Sequence, residues 1–385
     1  METHLFDKSR IGPSELFRRI GYTAERPFLI YAPIIELTLG DFIGKIAFLA
    51  TLKNQFDHAI LDVRFRDTRP YLRDIIALAP NIDRALPLVK RKRSWVEKLL
   101  RLPKPTGTAS LDVRKGRRHA FYDIVVTDWM ADARNVHGLP GSVPLRIPPA
   151  LAPSLEEKLI RLGLDPNRWV AAIHYRESSY AWRKRGEDRD SDPREYERLA
   201  HFIIDKLGGQ VVRLGHPEMG PFTPREGLLD LSRIPGSFML QAAAVSHARF
   251  VVAGPSGGVA MGWGFHVPTG LVDAVDALGG WGPMHQVVLT HEVTTADGRR
   301  LRNRDLLDSG LLCRFKLRQR QEAGETFGIR KNSSAELSAV AAHLYDATSE
   351  ISAWRPPAPM PSVPVRPNHV VWPPQTRENL AFLDV

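Results

Sequence analysis

The chain has 385 residues, 43% hydrophobic and 25% charged, a globular composition that excludes wholesale disorder and suffices for two domains. Its one cysteine, Cys313, excludes an intrachain disulfide and a cysteine-based zinc site, and makes a reducing, cytosolic location the expectation. The formal charge of +10 is concentrated, since residues 89–120 hold 11 Lys/Arg against two acids, Glu97 and Asp112. No apolar run approaches the roughly eighteen residues that span a bilayer, and the opening METHLFDKSRIGPSELFRRIGY lacks a signal-peptide core.

In chain order, FLIYAPIIELTL (28–39) is a β-rich apolar run ending at Gly40-Asp41, and FIGKIAFLATLKNQF after it has helical periodicity. HAILDVRF (58–65) reads as a strand and PYLRDIIALAP as a short helix, which is the β-α-β-α grammar of a doubly wound parallel sheet. The basic stretch follows, then strand-like FYDIVVTDWM (121–130) and a Pro-rich linker, SVPLRIPPALAPS (142–154). The second half repeats the grammar. WVAAIH (169–174) is a strand, PREYERLAHFIIDKLGG (193–209) a helix, QVVRLG a strand, SFMLQAAAVSHA (237–248) a helix and RFVVAG (249–254) a third strand. PSGGVAMGWGFHVP and TGLVDAV continue it, a late helix covers 334–354, and a Pro-rich tail follows from 355. The expected division is 1–150, 151–333 and a terminal helix with tail over 334–385.

Three places can carry chemistry. The strand–Gly–Pro–Ser–Gly–Gly–helix passage at 249–262 offers amides, a helix N-terminus and the Ser256 hydroxyl to a phosphate; alternatively it is a tight turn capped by Ser256. His174-Tyr175-Arg176-Glu177 lies at the C-terminal end of a strand, where open α/β sheets bind ligands. Arg176 suits a diphosphate and His174 a phosphate or a sugar; alternatively His174 is a satisfied, half-buried histidine and Arg176 pairs with Glu177 or Asp190. Asp41, after the first strand, is either a base for an acceptor hydroxyl or a helix N-cap. Asp188-x-Asp190 and Asp190-x-Asp192 match a metal-binding D-x-D only superficially and read as a solvated charged loop. There is no G-x-S-x-G elbow. Trp182, Trp263 and Trp281 are candidate stacking platforms or ordinary packing. SWVEKLLRL (94–102), inside the basic stretch, suits an anionic membrane face or a negatively charged acceptor, or is a solvated insertion; it has no nucleic-acid module.

Residues 168–315 resemble a family of bacterial glycosyltransferases with the pattern H-x-R-E-S, R-N-A-D with a tyrosine, R-M-G-D-P-x-M, G-T-[SN]-S-G and F-G-V-P. The counterparts here are His174-Tyr175-Arg176-Glu177-Ser178, Arg189-Asp190-Ser191-Asp192 with Tyr196, Arg213 to Met219, Gly254-Pro255-Ser256-Gly257 with an offset, and Phe265-His266-Val267-Pro268. The H-x-R element is also similar to that of fucosyltransferases using GDP-fucose. LGDFIGKIAFLATLKNQF with DTRPYLRDIIALAPNID resembles the opening of heptosyltransferases, in which the aspartate after the glycine is the proposed base, here Asp41. His216, Pro255 and His266 depart from the family, which has Asp, a small polar residue and Gly there.

The resemblance implies a GT-B-like α/β fold, two Rossmann-like domains facing a cleft, the first on the acceptor side and the second holding the donor. It implies inverting, metal-independent transfer of a hexosyl or deoxyhexosyl group from a GDP-, UDP-, ADP- or dTDP-linked sugar to a small molecule or glycan, with no other cofactor. Asp41, His174 and Arg176 would be catalytic, and Arg189, Arg213, Gly215, His216, Ser256, Gly257 and Gly258 would bind the donor. A nucleotide-sugar epimerase of the same fold and a non-catalytic nucleotide-binding protein are the competing classes.

Overall fold

The computed structural model describes residues 4–5, 28–35, 38–56, 58–88, 124–126, 131, 142–177, 189–274 and 286–356. The basic stretch, Asp188, Trp182, Trp281, Ser178 and the Pro-rich tail from 357 lie outside the described residues. The chain divides into two compact units, with the boundary between Leu145 and Arg146. That boundary falls in the Pro-rich stretch read as a linker. Its last residues already belong to a helix, with Pro153 in the first turn, where no amide donor is needed. Among the described residues no helix is long and apolar enough to cross a membrane.

The first unit is built on a parallel sheet. In chain order its elements are β1 (His4–Leu5), β2 (Phe28–Ile34), α1 (Leu39–Lys53), β3 (Ala59–Phe65), α2 (Pro70–Ala77), β4 (Arg84–Pro87) and β5 (Ile124–Val125). The spatial order is β1-β5-β2-β3-β4. β2 and β3 are the long central pair, in register from Phe28↔Ala59 to Ile34↔Phe65. α1 buries Phe42 to Leu52 almost without interruption, because its apolar residues surround the helix rather than forming a stripe.

The second unit contains α3 (Ala152–Arg161), β6 (Val170–His174), α4 (Pro193–Asp205), β7 (Gln210–Arg213), β8 (Leu228–Asp230), α5 (Phe238–Ser246), β9 (Phe250–Ala253), α6 (Gly257–Gly264), β10 (Thr269–Ala274) and β11 (Gln286–Thr290). β12 (Glu292–Thr295), α7 (Asn303–Asp308), α8 (Arg314–Glu322), β13 (Phe327–Arg330) and α9 (Ser334–Ala347) complete it. Six strands form a parallel sheet in the order β11-β10-β9-β6-β7-β8. Counted from β6 this is 3-2-1-4-5-6, the doubly wound Rossmann order. The α/β, two-Rossmann-like expectation therefore matches the sheets of both units.

Sequence accounts for the central strands. β6 and β9 are short and wholly apolar up to their ends because helices cover both faces of the sheet. α4 starts where Asp192 accepts from the Arg194 amide, with Pro193 at its first position. The chain then turns through Gly208-Gly209, where a Cβ on Gly209 would lie 2.4 Å from the Trp169 ring. The antiparallel β12–β13 pair and helices α3, α7 and α8 were not expected from the sequence.

Candidate functional site

Within the second unit the strand order reverses between β6 and β9, and the chain leaves these two strands toward opposite sides of the sheet. A crevice at such a switch point is where doubly wound sheets hold ligands. His174 pairs with Ala253, and the Gly254 amide donates to the His174 carbonyl at 2.9 Å. The topology thus sets His174–Glu177 and Gly254–Gly258, two passages far apart in sequence, side by side.

α6 opens in this crevice. Ser256 is its N-cap and accepts, at 3.4 Å, from the Gly258 amide, so the capping role weighed in the sequence is present. A cap satisfies one of the helix's early amides, and Gly257, one residue on, donates to no protein group among the described residues. The helix is buried from Gly258 on and its start is half-buried, so the partial positive charge there is only partly screened by water. A Cβ on Gly258 would lie 2.1 Å from Cδ2 of His174, so ring and helix are in direct contact.

The segment after β6 is fixed by alternate residues. Tyr175 is buried, stacks on Phe222 with ring centroids 5.8 Å apart, and donates to Glu177 at 2.9 Å. Arg213 donates to Tyr175 Oη at 2.5 Å, to Glu177 at 3.3 Å and to Asp230 at 2.8 Å, with its side chain 0% exposed. The other Glu177 oxygen accepts from the Gly220 amide at 3.0 Å. Tyr175 and Glu177 are thus spent on an anchor, while His174 and Arg176 are not.

Arg176 is 10% exposed and holds its Nε 3.1 Å from Asp190 Oδ1, which is 15% exposed. The Nε–H is not aimed at that oxygen, so the contact is an ion pair and the Nε–H has no hydrogen-bond partner among the described residues. This is the Asp190 pairing weighed as the alternative for Arg176, and it leaves the terminal nitrogens without a hydrogen bond to any described residue. Arg189 is half-buried immediately before the pair.

His174 Nδ1 lies 3.2 Å from the Leu214 carbonyl oxygen. Loss of hydration pushes its pKa down to about 4, with the Arg213 charge acting in the same direction, against the pull of the carbonyl. The imidazole is therefore neutral at ordinary pH.

Two of the expected donor residues are held by other protein groups. Arg213 is buried, and its terminal nitrogens are held by Asp230, Glu177 and Tyr175, so it braces the segment after β6. Gly215 has both its amide and its carbonyl bound by Gln241, each at 3.0 Å, so its backbone is not on offer. His216, next to it, is 44% exposed and accepts from the Glu218 amide at 3.2 Å. Trp263 is buried in α6 and is packing, not a stacking platform.

One buried cluster was missed. Asp273, at the end of β10 with φ 51°, accepts from Ser191 Oγ (2.7 Å), Tyr196 Oη (3.1 Å) and the Asn332 amide (2.8 Å). It lies below the phosphate-type turn, since a Cβ on Gly254 would meet Tyr196 Oη at 3.0 Å and Ser191 Oγ at 3.2 Å. The available signal was an acid inside the apolar run TGLVDAV. His266, where the family has Gly, is at φ 56°, and burial with Arg355 and Arg146 nearby lowers its pKa to about 3. Among the described residues no group of His, Cys, Asp and Glu could hold a metal ion.

In the first unit the equivalent reversal lies between β2 and β5, and α1 starts there. Thr38 occupies the N-cap position, which corrects the reading of Asp41 as the cap. Asp41 is in the first turn, exposed, and accepts from Thr38 Oγ1 at 2.8 Å.

No protein-family model and no curated protein matches the sequence. Solved structures do. The chain is similar to a glycosyl transferase family 9 structure from Veillonella parvula, at 16% identity over 68% of this chain and 86% of that one, TM-score 0.48. It is similar to the E. coli ADP-heptose LPS heptosyltransferase II, at 13% identity over 77% and 98%, TM-score 0.47. An E. coli heptosyltransferase with ADP aligns at 13% identity over 68% and 93%, TM-score 0.40.

Proposed function

We propose that the chain is a glycosyltransferase that moves a sugar from a nucleotide-diphosphate donor to an acceptor hydroxyl. The observation that carries this reading is the juxtaposition, at the β6/β9 switch point, of the His174–Glu177 segment, which carries Arg176, with the N-terminus of α6. A planar cation and a helix start both favour linked phosphates, and both are held by buried structure before any ligand arrives.

In the proposed step an acceptor oxygen attacks the anomeric carbon of the sugar. The bond from that carbon to the phosphate oxygen breaks, and its electron pair leaves on the nucleoside diphosphate. Arg176 and the amides of α6 stabilise the charge that develops there, in a site only partly screened by water. Asp41, in the crevice of the first unit, takes the acceptor proton as the bond forms. A single displacement of this kind inverts the anomeric configuration and calls on no metal ion. The donor is a GDP-, UDP-, ADP- or dTDP-sugar. The acceptor is a small molecule or a glycan, and residues 89–120 would bring the enzyme to an anionic membrane face.

The test is nucleoside diphosphate release from a donor panel, with and without a mixed acceptor extract. Transfer requires release that depends on acceptor. Conversion of the donor alone to an epimer would replace the proposal with the epimerase class, and binding without turnover would replace it with a nucleotide-binding protein.

A further inference from the structure

We propose that His174 takes a hydroxyl group of the ligand as a hydrogen-bond acceptor at Nε2, while phosphate is left to Arg176 and α6. The inference rests on the nucleotide-sugar reading of this site and deepens it, by separating the group that reads hydroxyls from the groups that hold charge.

The argument starts at the other ring nitrogen. The oxygen 3.2 Å from Nδ1 belongs to the Leu214 carbonyl, which can only accept. Nδ1 therefore carries the proton, and in a neutral ring Nε2 is a bare lone pair. Ring flips are resisted by packing, because the Cδ2 edge beside Nε2 is pressed against Gly258 in the first turn of α6. Nε2 makes no hydrogen bond to any described residue, and His174 as a residue is half-buried.

The surroundings oppose a charged ring. β7 supplies Arg213 and the segment itself supplies Arg176, both positive, and the start of α6 adds partial positive charge. Glu177 is turned to Arg213, Tyr175 and Gly220. Residues 250–264, covering β9, the turn after it and α6, contain no titratable side chain. In the 214–219 loop, His216 and Glu218 lie 3.9 Å apart, facing each other. A phosphate oxygen, itself an acceptor, has nothing to share with a lone pair. A hydroxyl does, and a nucleotide sugar carries hydroxyls on its ribose and on its sugar.

His174→Asn separates these roles, since its amide can still donate to Leu214 while nothing remains at Nε2; His174→Gln reaches toward the Nε2 position. Calorimetry with inorganic diphosphate, with ADP, GDP, UDP and dTDP, and with the corresponding glucose-linked donors is read at pH 6 and 8 in buffers of different ionisation heat. Inorganic diphosphate itself titrates near neutrality, so wild type and His174→Gln should show the same proton count on binding it. His174→Asn should keep that affinity within about twofold and lose roughly tenfold for the hydroxyl-bearing ligand, one ordinary hydrogen bond, with partial recovery in His174→Gln. Loss already seen with the nucleoside diphosphate assigns the ribose, and loss confined to the donor assigns the sugar. A proton taken up by wild type but not by His174→Gln on binding inorganic diphosphate, a parallel fall in diphosphate affinity, or unchanged affinity for every ligand overturns the inference and leaves the wider reading standing. Failure of wild type to bind any probe overturns both. Should the asparagine variant not fold, the proton count and affinities of wild type against His174→Gln still decide.

Discussion

At the scale of single residues, the site separates groups held for structure from groups held for a ligand. Arg213 belongs to the first kind. Its removal strands Glu177, Asp230 and the Tyr175 hydroxyl around an uncompensated space, so Arg213→Ala should cost roughly 3–5 kcal/mol of stability, measured by chemical denaturation. An unperturbed midpoint would mean the anchor carries little. Arg176 and Asp41 belong to the second kind. Asp41 is exposed in the first turn of α1, so Asp41→Asn should leave the melting temperature and donor affinity near wild type. Its transfer rate should fall by about 10²–10⁴, the range expected for a missing base. Transfer at the wild-type rate would move the base elsewhere. Both residues were singled out in the sequence, but the division of labour was not, because burial and partners decide it. Arg213 and Arg176 are equally arginine in a string of letters.

At the scale of elements, the decisive contact is between β6 and α6. Gly258 allows the His174 ring to rest on the helix start, and a methyl group there would fall 2.1 Å from Cδ2. Gly258→Ala should therefore push the ring and the turn apart, lowering stability by roughly 1–3 kcal/mol and weakening nucleoside diphosphate binding, as thermal melts with and without ligand would show. A variant with wild-type ligand shift would mean that this contact does not shape the pocket. β2, β3, α1, β6, α4, β7, α5, β9 and α9 were legible because their apolar periodicity and Gly/Pro punctuation are local. β12, β13, α7 and α8 were not, since short half-exposed elements have weak periodicity and are set by what they pack against. The Asp273 cluster was hidden for a similar reason. Its partners Ser191, Tyr196 and Asn332 are brought together only by the sheet order.

At the scale of the molecule, two neutral histidines make stability depend on pH. His174 and His266 have folded pKa values of about 4 and about 3, below the ordinary value of 6.5 in the unfolded chain. Between those limits the unfolded state binds more protons, so stability is full above pH ~6.5 and declines as pH falls toward 4. Melting temperature measured from pH 8 to pH 4 should trace that decline, and a His174→Gln, His266→Asn double variant should flatten it. An identical slope in the double variant would assign acid sensitivity to other groups. The doubly wound order supplies the central claim itself, because the reversal between β6 and β9 brings the segment that carries Arg176 beside the start of α6. Titration of ADP, GDP, UDP and dTDP into wild type and Arg176→Ala by calorimetry tests it most directly. At least one nucleotide should bind wild type, with affinity roughly 10- to 100-fold weaker in the variant, the worth of a charge-assisted contact. Equal affinity in the two proteins, or no binding to either, would contradict a diphosphate site at this switch point.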